Sequence, residues 1–427
     1  MIKKYINPEI AKWKSISKRP VVNLKKIEPL VQKIFDKVRR SGDSAVVQFT
    51  KNFDNVDLSN IKVEKSVLIN SKNKVSEEFK QALDVAKKNI NKFHLSQITK
   101  PNIVETSDGV KCWQEKKPIE KIGIYIPGGS APLFSTILML AIPAKLAGCK
   151  QITLCTPPNK KGEVDPSILY TAMLCGVSDI FKVGGIQAIA AMTFGTETIP
   201  KVYKIFGPGN QYVTVAKQIA TSYNVAIDLP AGPSELLVMA DSTSNPSYIA
   251  SDLLSQAEHG EDSQVILVTT YKELLNNVED EINKQMDSLS RKKIILKSIK
   301  NSRFIFFENN SKAISFINQY APEHYMICVK NEKLFIKSIK NAGSVFIGNY
   351  TPESAGDYAS GTNHTLPTNG FSKQYSGVNI DSFLKAITFQ KINKKGIKII
   401  GPAIEVMADK EGLQAHKNSI KIRLNDL

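Results

Sequence analysis

Residues 254–262 read Leu-Ser-Gln-Ala-Glu-His-Gly-Glu-Asp, which places a carboxamide and an imidazole three positions apart. On a helix, Gln256 and His259 share one face. A neutral imidazole and an amide oxygen converging from one face are half of a nitrogen and oxygen metal site, although a solvated helix end with a chance histidine has the same spelling. The chain has five histidines: His94, His259, His324, His364 and His416. The last four sit in stretches rich in Gly, Pro, Glu and Asp, where site residues on loops are expected rather than core packing. Pro322-Glu323-His324 adds a carboxylate beside an imidazole, a pair suited to general acid–base work, though an exposed turn after proline reads alike.

These side chains need elements to hold them. Asn245-Pro246 is a helix start, an Asn cap with Pro in the first helical position. Ile249, Ala250, Leu253, Leu254 and Ala257 recur at helical spacing, and Gly260 marks the stop. Residues 1–119 are Lys-rich, with helical periodicity over 27–38 and 75–93, and form an N-terminal helical segment that scaffolds the first α/β domain. His94 closes the second helix, where a cation near the negative dipole end is unremarkable.

From Lys121 the pattern changes to alternating strands and helices: strand 122–126, helix 135–147, strand 151–155, helix 167–174, strand 180–183, helix 187–194, strand 202–206 and helix 211–220. This succession predicts a doubly wound parallel sheet over 120–235. Its turns carry Gly128-Gly129, Gly184-Gly185 and Gly207-Pro208-Gly209-Asn210. Glycine turns that open helices suit a pyrophosphate, but none spells GxGxxG, and simple tight turns fit equally. A second series occupies 236–380, with strands at 236–240, 265–268, 304–307, 325–329 and 344–347. Two such sheets suggest a duplicated Rossmann-like unit, without a residue-level repeat. Residues 351–368 read as loop, and 381–427 as a C-terminal tail.

A chain of 427 residues exceeds one hydrophobic core, so two or more domains are expected. The net charge of +17 suggests an acidic partner, yet only six of the 57 basic residues are Arg and the lysines are spread throughout. Scarce Arg argues against nucleic-acid recognition. The five cysteines form no CxxC pair, which suits a reducing compartment. The N-terminus has no signal-peptide core, and the apolar run 135–144 is too short for a bilayer. A cytoplasmic protein without membrane or nucleic-acid partners is expected.

Taken together, Gln256-Ala257-Glu258-His259, Pro322-Glu323-His324, the stretch 353–364 and Glu411 to His416 closely resemble histidinol dehydrogenases. So do Gly-Ile-Tyr-Ile-Pro-Gly-Gly-Ser at 123–130, Gly-Pro-Gly-Asn at 207–210 and Pro-Ala-Gly-Pro-Ser-Glu at 230–235. The resemblance runs from about residue 30 to the end, and it implies two incomplete Rossmann-like domains of aldehyde-dehydrogenase type with small terminal segments. The activity it implies is oxidation of L-histidinol to L-histidine, via histidinal, with two NAD.

The zinc ligands implied are Gln256, His259, Asp357 and His416, with the metal holding substrate rather than activating water. Catalysis falls to Glu323, activating water at the aldehyde stage, and His324, taking the hydroxyl proton. Ser234, His364 and Glu411 match substrate contacts, alongside the ligands and His324; Tyr125, Gln187 and Asn210 match NAD contacts. The resemblance also implies a homodimer in which Glu411 and His416 complete the partner's site, and the apolar Ile404, Val406, Met407 and Leu413 of the tail need a surface. A tail folded on its own chain fits the same residues. Aldehyde oxidation can employ a thiolate, but Cys149 and Cys155 lie in apolar surroundings that suit inert thiols. Rival readings are a zinc hydrolase with Glu323 as general base and a Lys-rich binding protein.

Overall fold

The computed structural model describes residues 2–20, 26–128, 131–230 and 232–427. Gly129, Ser130 and Ala231, which belong to two of the motifs above, lie outside the described residues. The strands, in chain order, are β1 (Lys3–Ile6), β2 (Val104–Ser107), β3 (Val110–Pro118), β4 (Lys121–Tyr125), β5 (Gln151–Thr156), β6 (Asp179–Lys182) and β7 (Lys204–Phe206). They continue with β8 (Ala226–Ile227), β9 (Glu235–Ala240), β10 (Gln264–Thr269), β11 (Arg303–Phe306), β12 (His324–Cys328), β13 (Ser344–Ile347) and β14 (Leu384–Ile392).

Strands β9, β10 and β12 are buried at every residue. A strand without a wet face must be covered on both sides, which is the condition of a parallel sheet wrapped by helices. The period of two therefore separates two cores instead of core from solvent. Leu236, Val238 and Ala240 pack into one apolar cluster, while Leu237 and Met239 pack into another. The first sheet divides likewise, with Ile122 and Ile124 on one side and Tyr125 on the other.

Both sheets are parallel. The first runs β6-β5-β4-β7-β8, and the second runs β1-β11-β10-β9-β12-β13. Apart from β1, each has the order third, second, first, fourth, fifth, so the duplication expected from the pattern exists as topology. β1 joins β11 in register from Lys3↔Arg303 to Ile6↔Phe306, which places the start of the chain in the second sheet, an allegiance that the helical periodicity of 1–119 did not reveal. Within the first unit, the long helix Glu28–Asp54 covers one face through Val31, Ile34, Phe35 and Val38.

A third, antiparallel sheet of β14-β3-β2 was not legible as such in the sequence. β3 and β14 pair over nine residues, from Leu384↔Pro118 to Ile392↔Val110, and carry many charged side chains. After β14 the chain forms the helices Lys394–Lys410 and Gln414–Asn425, packed as a hairpin. The tail is thus an ordered element, yet Val406, Met407 and Leu413 remain exposed. Residues 351–368, expected as loop, include the helix Glu353–Tyr358. His94 is buried, and burial lowers its pKa, so it is a neutral core imidazole rather than a cation at a helix end. Among the described residues no helix is long and apolar enough to cross a membrane.

Candidate active site

The two parallel sheets present opposite edges to one another. Tyr125, Thr156 and Phe206 end β4, β5 and β7, and the turns that follow line two cavities. Glu235 and His324 begin β9 and β12, so the second sheet contributes its N-terminal edge. One cavity, of about 740 Å³, is bounded by Tyr125, Pro157, Gly185, Gln187 and Asn210. The other, of about 570 Å³, is bounded by Asn210, Ser234, Gln256, His259, Glu323, His324, Asp357 and His364. Pro127 and Asn210 line both.

The 740 Å³ cavity lies at the C-terminal edge of the first sheet, lined by residues that follow β4, β5, β6 and β7. Close backbone approach explains the glycines of these turns, of which Gly128 and Gly185 line this cavity and Gly207 the smaller one. Gly207 has φ +121, and a Cβ there would overlap the Tyr125 carbonyl oxygen. The turn is pinned from below: buried Lys217 pairs with Asp228 and donates to Gly207 O at 2.8 Å, while Gly207 N donates to Asp228 Oδ2 at 2.8 Å. Asn210 then caps the helix Gln211–Thr221 by accepting from Tyr212 N and Val213 N. Gly185 N donates to the Tyr125 hydroxyl at 3.0 Å, and burial pushes that phenol up to about 12. The amide oxygen of buried Gln187 has no protein partner. Among the described residues no Lys or Arg lines the larger cavity, despite the basic composition of the chain.

In the smaller cavity the helix carrying Gln256 runs from Pro246 to Ala257, with Glu258 as its C-cap. The helix therefore stops before Gly260, and His259 stands just beyond it, its N–H bonded to Gln256 O at 3.3 Å. Gln256 is fully buried, and neither amide atom has a partner. That is costly for a carboxamide unless a ligand satisfies it. His259, Glu353 and Asp357 each bring a donor atom to within 4.8 Å of the others. Glu353 was not singled out from the sequence; its signal was only an acid at the start of a short helix after Pro352. It is fully buried, with Oε1 unpartnered and Oε2 accepting from Ser255 Oγ at 2.8 Å. Burial, with the nearby charge of Asp357, raises its pKa well above the usual carboxylate range.

The tautomers of two histidines follow from their partners. His324 Nδ1 lies 3.0 Å from Glu235 O, and a carbonyl only accepts, so Nδ1 carries the proton and Nε2 is the bare nitrogen. That Nε2 is buried and unpartnered, 3.9 Å from both Glu353 Oε1 and Asp357 Oδ1. His364 Nδ1 likewise donates to Asp357 O at 2.9 Å, and Thr136 Oγ1 donates to its Nε2 at 3.2 Å. Burial lowers the pKa of both imidazoles, so their approaches to carboxylates at 3.9 Å bring neutral rings near acids and are not ion pairs. Glu323 accepts from Glu235 N at 2.8 Å, and burial raises its pKa well above the ordinary value.

Of the residues singled out from the sequence, Gln256, His259, Asp357, Ser234, His364, Glu323 and His324 thus meet in one cavity, while Tyr125, Gln187 and Asn210 meet in the other. Glu411 and His416 do not join them. They lie at the turn and start of the C-terminal hairpin, exposed, and outside the lining of either cavity.

The family model for histidinol dehydrogenase matches residues 17–424. A histidinol dehydrogenase of Bacteroides thetaiotaomicron is 53% identical over 427 residues, covering 100% of both chains. A chloroplastic histidinol dehydrogenase of Arabidopsis thaliana is 50% identical over 416 residues, covering 97% of this chain and 89% of its own. The crystal structure of histidinol dehydrogenase from Elizabethkingia anophelis superposes with a TM-score of 0.98 at 55% identity, over 100% of this chain and 98% of that one.

The thiols stand apart from these cavities. Cys149, Cys155, Cys175 and Cys328 are buried, and burial raises the pKa of each, to about 11 for Cys149 and about 12 for Cys175 and Cys328. A raised pKa keeps the nucleophilic thiolate scarce until the pH approaches that value. In the folded protein at about pH 8, only half-exposed Cys112 should react readily with iodoacetamide, the other four reacting after unfolding. Rapid labelling of Cys149 or Cys155 in the native state, read by peptide mass, would contradict this assignment.

Proposed function

The chain belongs to the histidinol dehydrogenase family, and from that premise we propose that it carries out the zinc- and NAD-dependent, four-electron oxidation of L-histidinol to L-histidine by way of histidinal, in histidine biosynthesis. The observation that carries the reading is the contact of two chemically different cavities, one with glycine turns at the C-terminal edge of the first sheet and one with imidazoles, carboxylates and an unsatisfied carboxamide, across Pro127 and Asn210. The donor set of Gln256, His259 and Asp357 suits zinc, with Glu353 close behind. A bound zinc ion would anchor the amine and imidazole nitrogens of the substrate, both of which must be unprotonated to bind. NAD in the larger cavity would supply the hydride acceptor, and the absence of basic side chains there among the described residues suits a free ribose 2′-hydroxyl rather than a 2′-phosphate.

The remaining chemistry belongs to the chain. Alcohol to acid is a four-electron change, so two hydrides leave and one water adds at the aldehyde stage. His324 Nε2, kept bare by the Nδ1 bond to Glu235 O, takes the hydroxyl proton. Glu323, whose raised pKa makes it a stronger base once ionised, takes the proton of the water that attacks the aldehyde. Ser234 and His364 line the cavity where the substrate would lie.

The functional unit we propose is a homodimer, with His416 and Glu411 reaching the partner's cavity. The reading is supported by the exposure of both residues away from their own cavity, and by exposed Ile399, Val406, Met407, Leu413 and Ile422 on the same hairpin. Exposed apolar side chains gathered on one element favour docking on another surface.

Purified protein given L-histidinol and NAD should form NADH, and a chelator should abolish it. Glu323→Gln should slow oxidation of supplied histidinal by about 10²- to 10⁴-fold, with a smaller effect on the alcohol step, because only the second step needs water. Normal histidinal oxidation by this variant would remove Glu323 from the role. Inactive His416→Ala and Asp357→Ala proteins, mixed under subunit exchange, should regain activity through hybrids that hold one intact site. If mass measurement confirms hybrids and activity stays absent, the shared site fails.

A further inference from the structure

Beneath the acid–base pair lies an ion pair that the proposed reaction does not use. Arg19 and Glu235 are buried, their side chains 11% and 1% exposed. The guanidinium grips the carboxylate with both prongs: Nε donates to Oε1 at 2.5 Å and Nη2 to Oε2 at 2.8 Å. Nη2 also donates to Tyr320 O at 2.8 Å, and the guanidinium lies 4.0 Å from the centroid of the Tyr320 ring. A pair this deep is a weak device for stability, because the cost of taking both charges out of water offsets most of their attraction. Its consequence is geometric.

Three further hydrogen bonds of Glu235 lead to the site. Its carboxylate accepts from Asn369 N at 2.6 Å, holding a loop that lines the smaller cavity. Its backbone N–H donates to Glu323 Oε2 at 2.8 Å, and its backbone carbonyl accepts from His324 Nδ1 at 3.0 Å. The carbonyls of Tyr320 and Ala321, bound to Arg19, precede Glu323 and His324 by only a few residues, and Ala321 sits at φ +56, a strained conformation for a residue with a Cβ. Arg19 therefore fixes both ends of one assembly, the start of β9 and the turn that enters β12.

We propose that the Arg19–Glu235 ion pair is a positioning device that sets the orientation of Glu323 and the tautomer of His324. The proposal rests on the reading of those two residues as the acid–base pair. Arg19 touches no reacting atom; it acts through Glu235 and the 320–321 carbonyls.

Arg19→Gln removes the charge, and Arg19→Lys keeps it while losing the planar fork. For the folded Arg19→Gln enzyme, kcat with L-histidinol should fall by about 10²-fold, since small misplacements of catalytic groups cost that much. KM for NAD should stay within about twofold, because the cofactor cavity is elsewhere. Arg19→Lys should recover part of the loss. A second readout needs no activity: in protein labelled with ¹⁵N-histidine, the His324 ring resonances, assigned by their disappearance in His324→Asn, should show the Nδ1–H form in the parent and a mixture of tautomers in Arg19→Gln. If Arg19→Gln does not fold, Arg19→Lys is read in the same two ways. A folded variant with unchanged kcat and an unchanged His324 signal overturns the proposal, even if its melting temperature drops. If the parent fails to oxidise histidinol while the His324 signal still responds to Arg19, the activity reading fails and the positioning role stands.

Discussion

The polarity of parallel strands is the constraint from which the rest of the site follows. All strands of a parallel sheet point one way, so the covering helices all return the other way and present the same end at a given edge. Here the C-terminal edge of the first sheet faces the N-terminal edge of the second. The first edge offers helix N-termini, at Gly185–Phe194 and Gln211–Thr221, whose positive dipole ends favour an anion. The second offers the C-terminal end of Pro246–Ala257, whose free carbonyls favour a cation. One cleft thus acquires a side suited to a pyrophosphate and a side suited to a metal ion, before any side chain is considered.

Side chains sharpen that division. Glu235, Glu323 and Glu353 are buried close to one another, and burial raises the pKa of each. Among the described residues only Glu235 of the three has a cation as partner, which leaves the other two reliant on neighbouring amides, hydroxyls and whatever ligand the cavity receives. Buried carboxylates without cations are unfavourable for folding alone. Their concentration around Gln256, His259 and Asp357 is the mark of a site whose stability has been spent on chemistry.

Much of this was legible in sequence, and the exceptions have physical causes. The βα succession was readable because apolar runs and glycine turns are local signals, as was the grouping of Gln256 with His259 across three residues. The allegiance of β1 was not, because the four residues Lys3-Lys4-Tyr5-Ile6 carry no pattern that discloses which sheet edge will accept them. β2, β3 and β14 escaped because their exposed, charged surfaces lack apolar contrast. Glu353 and Glu235 looked like ordinary acids. Their burial depends on contacts made 98 and 216 residues away, to Ser255 and Arg19, and no local pattern carries that information. His416 is the converse case, a residue that the motif marks clearly and that the single chain leaves in solvent.

The proposed reaction requires that one substrate be held at the second sheet through both oxidations while the first sheet receives the cofactor. The most direct test is the reaction of limiting L-histidinol with excess NAD in the presence of an aldehyde-trapping amine. The account predicts two NADH for each histidinol, L-histidine as the product, and no trapped histidinal. One NADH for each histidinol, with the aldehyde recovered in the trap, would contradict it.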